Sequence, residues 1–156
     1  MKIVFLDYDG VVNSLMFQED KEDPYFNFPH HNKVNNYQAV KWLERLCKEF
    51  DAKIVVTSTW RRESNYKECL YNGGLSHEVE ILGKTDDLGT YRIAEIQKWL
   101  NEHSDEIDGY VILDDEPIKD KHAVKTETYN GFLWSDYEKA KLKLNNIFLF
   151  EKEETK

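Results

Sequence analysis

The sequence is short of the residues that break or staple a chain. Of its 156 residues, 3 are proline, 7 glycine and 2 cysteine. So little proline and glycine excludes collagen-like and low-complexity chains. Cys47 and Cys69 belong to no Cys-x-x-Cys or Cys/His spacing. That argues against a zinc site or a disulfide framework, and both read as free thiols, buried or half-buried, in helices. No stretch reaches the roughly 18 apolar residues of a membrane span. Met1 and Lys2 run straight into a strand-like segment, without the basic-then-apolar pattern of a signal peptide. The expectation is a cytoplasmic protein with no membrane partner. Positive charge is scarce as well. Lys and Arg number 21 against 30 Asp and Glu, a formal net charge of -9. Proteins that coat nucleic acid non-specifically are basic, so the balance argues against that class. A local basic site for one phosphate is compatible with it. There is no internal repeat, and nothing points to an obligate protein partner.

What remains is an ordinary globular composition, 40% hydrophobic and 33% charged. The length suits one domain, read here as residues 1–150, followed by a charged tail at 151–156. Strand-like and helix-like segments alternate. Residues 2–6, 53–56 and 110–113 are short continuous apolar runs, the pattern of strands buried on both faces of a parallel sheet. A third strand is expected at 79–82, and a short fifth at 123–125. Helices are expected at 34–50, 63–72, 91–102 and from Ser135 to about Leu144, the last opened by a Ser135/Glu138 capping box. Gly73 and Gly74 stop the second helix. Residues 13–32, with Pro24 and Pro29, read as a loop. The fold class is α/β, a Rossmann-like three-layer sandwich around a mostly parallel five-stranded sheet.

In such sheets ligands bind beyond the carboxyl ends of the strands. Asp7 and Asp9 follow the first strand. Thr57, Ser58, Trp60, Arg61 and Arg62 follow the second, and Asp114 and Asp115 close the fourth. Arg92 opens the preceding helix, with Lys84 a little upstream. Carboxylates, hydroxyls and cations therefore collect at one edge. Mg²⁺ is satisfied by oxygen from one or two carboxylates, with water and phosphate completing its shell. Asp7 with either Asp114 or Asp115 supplies that. Of the first two aspartates, one has the chemistry to attack phosphorus and the other to move a proton. Thr57 and Ser58 offer hydrogen bonds to phosphoryl oxygens, and a cation offsets the charge of the transferring group.

FLDYDGVV at 5–12, IVVTS at 54–58, a basic residue ahead of the fourth strand, and VILDD at 111–115 appear in that order. The set resembles the haloacid dehalogenase (HAD) superfamily of phosphatases and phosphotransferases. The finer pattern is TSTWR at 57–61, an arginine opening YRIAEIQKWL at 91–100, and a strand ending in DD. It is similar to the small HAD domain of RNA-repair (Swiss Army Knife) proteins. The resemblance implies Asp7 as nucleophile and metal ligand. It implies Asp9 as general acid/base and, through its backbone carbonyl, as a metal ligand. Thr57 and Ser58 would bind phosphate, and Asp114 and Asp115 would complete a Mg²⁺ site. Arg92 is the favoured phosphate-binding cation and Lys84 its rival. The space between motifs leaves no room for a large cap, so the site is expected to be capless or minimally capped. An open site fits substrates such as nucleotide or nucleic-acid-end phosphates, a 3′-phosphate among them.

Other readings stand beside these. Trp60 and Arg61 are candidate substrate contacts, Trp60 by stacking on a base or else by packing in the core, and Arg61 unless it and Arg62 are simply solvated at a helix start. Trp42, Trp99 and Trp134 read as packing residues, and His30 and His31 as surface. Glu116 beside the DD pair is either a neighbour of the site or merely exposed. The alternative functions are a phosphatase of another small metabolite and a non-catalytic phosphate- or partner-binding module. A phospho-receiver domain would carry its acceptor aspartate after the central strand, where this chain has Thr57 and Ser58.

Overall fold

The computed structural model describes residues 1–18 and 32–148. Five strands, β1 (Lys2–Leu6), β2 (Ala52–Val56), β3 (Ile81–Lys84), β4 (Gly109–Asp114) and β5 (Ala123–Lys125), form one sheet. Its order is β3-β2-β1-β4-β5 and every pairing is parallel. The helices are α1 (Tyr37–Phe50), α2 (Tyr66–Asn72), α3 (Arg92–His103) and α4 (Trp134–Leu144). The chain builds outward from β1 to β3 and then crosses back to β4 on the other side. The order thus reverses between β1 and β4, the switch point at which open α/β sheets leave a crevice for ligands.

Side chains alternate across each strand, and that period sorts the core into two layers. Val4, Leu6, Ile54, Val56, Val111, Leu113 and Val124 pack with α1, α2 and α4. Ile3, Phe5, Val55 and Ile112 pack against Ile96 and Trp99 of α3. Phe5 meets the Trp99 ring edge-on at 5.5 Å, and aromatic pairs favour that arrangement. Both faces of the central strands are covered, which is why their sequences are continuously apolar. Cys47 and Cys69 are buried free thiols in this core.

Four element starts differ from expectation. Helix α2 starts at Tyr66, not residue 63, because the preceding 3-10 turn ends at Arg62 and Glu63 is extended. Helix α1 starts at Tyr37, not residue 34, because the Asn36 side chain accepts the Ala39 amide at 3.0 Å and caps it. Strand β3 lies two residues later than the apolar run 79–82. Val79 closes a turn on Ser76, and the strand then pairs Ile54 with Ile81 and, after a bulge, Val55 with Gly83. It is an edge strand, so Gly83 and Lys84 are tolerated there. Helix α4 starts at Trp134, which places Ser135 inside it. The capping carboxylate is Asp136, accepting the Leu133 amide at 3.0 Å. Trp99 and Trp42 pack as expected, but Trp134 is 55% exposed. Pro24, Pro29, His30, His31 and the tail from 151 lie outside the described residues.

The turn after β1 requires glycine. Gly10 has φ +83°, and a Cβ there would overlap the Asp115 carboxylate. Gly83 has open space around its Cα and ordinary backbone angles. Gly10→Ala is therefore expected to destabilise the protein by about 2 kcal/mol or more in denaturant melts. Gly83→Ala should stay within about 1 kcal/mol of the parent.

Candidate active site

The parallel ladder continues for one residue past each strand, which sets the site residues side by side. The Asp7 amide donates to the Leu113 carbonyl at 3.0 Å, and the Thr57 amide to Leu6 at 2.8 Å. Asp114 is the last residue of β4 and its carbonyl accepts the Thr126 amide at 2.9 Å. Carboxylate oxygens of Asp7, Asp114 and Asp115 lie within 4.8 Å of one another. Asp7 and Asp114 are buried, and Asp115 is half-buried with its Oδ2 accepting the Thr128 hydroxyl at 2.8 Å. The donors are all oxygen, as a hard divalent cation prefers.

Crowding these carboxylates has an electrostatic consequence. Burial, and next the Asp114 charge, push the Asp7 carboxyl well above the ordinary carboxylate range. Burial likewise raises Asp115. Arg92 is the cation among them, its Nη1 2.7 Å from Asp114 Oδ2 and 3.2 Å from Asp7 Oδ2. Burial works against the guanidinium charge, but Asp7 and Asp114 outweigh it and hold its pKa above the ordinary arginine value. A bound divalent cation would act in the same direction as Arg92. The donor set therefore fits a metal both by chemistry and by charge.

Lys84 lies elsewhere. Its Nζ donates to the Arg61 carbonyl at 2.9 Å and sits over the Tyr66 ring. Of the two candidate cations, Arg92 is the one in contact with Asp7. Thr57 is fully buried, and its Oγ1 is a buried polar atom without a hydrogen-bond partner among the described residues. Such atoms are rare and call for a ligand or water. Ser58 is buried too, and its Oγ accepts the Trp60 amide at 3.2 Å.

Trp60 and Arg61 differ from their expected role as substrate contacts. Trp60 is 1% exposed, so it presents no face to a base. Its indole Nε1 donates to Asp9, 3.1 Å from Oδ1 and 3.3 Å from Oδ2. Arg61 is 4% exposed and turned inward. It bonds the Thr57 carbonyl, the Ser58 carbonyl at 3.1 Å and Glu95 at 3.0 Å. Glu116 is exposed and donates its amide to Asp114 Oδ1 at 2.9 Å, so it braces the site through its backbone.

Four contributors were not singled out from the sequence. Asn13 donates to Asp9 Oδ1 at 3.0 Å, Thr126 donates to the Gly10 carbonyl at 2.6 Å, Thr128 holds Asp115, and Glu95 holds Arg61. Asn13, four residues after Asp9 in the same turn, was the one with a local signal. The other three depend on contacts between distant segments. A cavity of about 330 Å³ adjoins Arg92, lined also by Thr59, Arg62, Asp87, Tyr91 and Glu116.

Among the described residues, no helix is long and apolar enough to cross a membrane. No curated protein and no solved structure gives a significant match. The family model for the HAD domain in Swiss Army Knife RNA repair proteins matches residues 3–137, which include every motif described above. With that match over most of its length, and with the parallel sheet and strand-end aspartates in place, the chain belongs to this HAD family.

Proposed function

We propose that this protein is a Mg²⁺-dependent phosphomonoesterase that works through an aspartyl-phosphate on Asp7. The observation that carries the reading is the convergence of Asp7, Asp114 and Asp115 at the switch point of the sheet, with Arg92 paired to the first two. Family membership supports phosphatase-type chemistry in general. The partnerless Thr57 hydroxyl beside Asp7 supports a phosphoryl oxygen as the missing acceptor.

The chemistry follows from these positions. Thr57, with the neighbouring Ser58, donates to the non-bridging oxygens, and Arg92 offsets their charge. An Asp7 carboxylate oxygen attacks phosphorus while the ester oxygen leaves and takes a proton from Asp9. Asp9 then takes a proton from water as that water attacks the phosphorus. Inorganic phosphate departs and Asp7 is regenerated. The metal would be held by Asp7, Asp114, Asp115 and the Asp9 backbone carbonyl. When bound it supplies charge neutralisation that lets an anionic carboxylate approach an anionic phosphate.

For the substrate, the reading is a nucleotide or nucleic-acid-end phosphate such as a 3′-phosphate. The RNA-repair setting of the family and the open cavity beside Arg92 support it. Tyr91, 83% exposed at the rim of that cavity, is placed to stack on a base. A second reading, a small monoester such as a free nucleotide, draws on the carboxylates of Asp87 and Glu116 in the same wall and on the net charge of -9. These disfavour a long polyanion.

Magnesium-dependent phosphate release from an aryl phosphate should fall at least about a thousandfold in Asp7→Asn. It should vanish with EDTA and return with Mg²⁺. Absence of turnover on every monoester despite bound metal would sink the enzymatic reading. Arg92→Ala is expected to cost roughly a hundredfold in kcat/KM, whereas Lys84→Ala should cost under threefold. The reverse order would hand the cation role to Lys84. Comparing 5′-nucleotides, 3′-nucleotides, 3′-phosphorylated oligonucleotides and sugar phosphates should place the nucleotide-type substrates first. A wide margin for sugar phosphates would refute the substrate assignment.

A further inference from the structure

We infer that Trp60 is the positioning residue of the proton-transfer step: its indole N–H fixes the carboxylate of Asp9 and ties it to the phosphate-binding loop. The inference for the proton transfer rests on the phosphatase reading above; the hydrogen bond itself does not.

Asp9 lies in a turn, where an aspartate side chain has several accessible rotamers. Among the described residues, two donors restrict it. Asn13 Nδ2 donates to Oδ1 at 3.0 Å, and Trp60 Nε1 straddles both oxygens at 3.1 and 3.3 Å. Both donors are themselves immobilised. Asn13 is 1% exposed, and its own Oδ1 accepts the Asn35 amide at 2.8 Å. The Trp60 ring is 1% exposed and packs on Tyr8 at 5.4 Å between centroids. Tyr8 is the residue between Asp7 and Asp9, and its hydroxyl donates to the Tyr66 carbonyl at 2.6 Å. The indole plane is thereby set by the backbone that carries the two catalytic carboxylates.

The same tryptophan sits in the 3-10 turn Thr59–Arg62, whose cap is Ser58. The Ser58 Oγ accepts the Trp60 amide at 3.2 Å. The residue that orients Asp9 is therefore one turn from the hydroxyls assigned to the phosphate. A core role alone would be filled by any large apolar ring. It would not require the N–H to be aimed at a carboxylate 51 residues away.

Orientation of a general acid matters in proportion to how much the leaving group needs a proton. An alkoxide leaving from an alkyl or ribosyl phosphate needs one, and a 2,4-dinitrophenolate does not. Trp60→Phe keeps a ring against Tyr8 and removes the donor. Replacing Trp60 with 3-benzothienylalanine keeps the whole bicyclic shape and removes only the N–H. Both variants should lower kcat/KM for a 3′-nucleotide by tenfold or more and for 2,4-dinitrophenyl phosphate by less than threefold. In an Asp9→Ala background the same replacements should cost nothing further, since the two residues act as one unit. The ¹⁵N-indole resonance of Trp60 provides a readout independent of turnover, and it should move upfield in Asp9→Ala. Equal losses on the two esters, additive losses in the Asp9→Ala background, or an indole resonance indifferent to Asp9→Ala would overturn the inference. A wild-type protein inert toward both esters, with the indole shift intact, would overturn the phosphatase reading instead.

Discussion

The structure is organised around the repulsion between carboxylates that the sheet forces together. A parallel ladder delivers the residue after β1 and the end of β4 to adjacent positions, so Asp7 and Asp114 meet by backbone geometry alone. At these positions both are almost fully buried. Burial and the neighbouring Asp114 charge raise the Asp7 carboxyl well above its ordinary range. Arg92 answers part of this charge, reaching both Asp114 and Asp7 from the first turn of α3. Its own partial burial would be costly without them. Carboxylates and arginine therefore depend on one another. The remaining negative charge is what makes the three-oxygen cluster a natural seat for a divalent cation.

Much of this was legible in the sequence, for a physical reason. Strands covered on both faces must be apolar throughout, so β1, β2 and β4 announced themselves as runs that end abruptly in Asp, Thr or Asp. Parallel topology then placed those endings on one edge. The less legible parts lack such a signature. Strand β3 is at the edge and half-exposed, so its Gly83 and Lys84 blurred the apolar signal. The start of α4 depends on the Asp136 carboxylate at the third helical position, not on the serine that precedes it. The directions of Trp60 and Arg61 follow from packing against Tyr8 and Glu95, residues that sequence proximity does not connect to them.

In the segment Thr57 to Arg62, two of the three large side chains point into the protein and hold different partners. Trp60 holds Asp9 on the β1 turn, and Arg61 holds Glu95 on α3, one turn after Arg92. Glu95 in turn accepts the Leu88 amide at 2.8 Å with its other oxygen, bringing in the connection that leads to α3. Three pieces, the β1 turn, the connection at Leu88 and the start of α3, are thus tied to one short turn of chain.

The energetics of the Arg61–Glu95 pair favour a geometric explanation for it. Arg61 and Glu95 are 4% and 5% exposed, and Arg61 Nε lacks a hydrogen-bond partner among the described residues. Desolvating both charges offsets most of the attraction between them, and well-packed apolar residues in their place would often be as stable or more so. An apolar pair would not, however, bond the Thr57 and Ser58 carbonyls, which Arg61 does at the same time. Nor would it place a directional bond on α3 one turn from Arg92, in addition to the apolar packing of Ile96 and Trp99 that holds the same helix. The pair is therefore better explained by the alignment of Thr57 and Arg92 across the same crevice than by the stability it contributes.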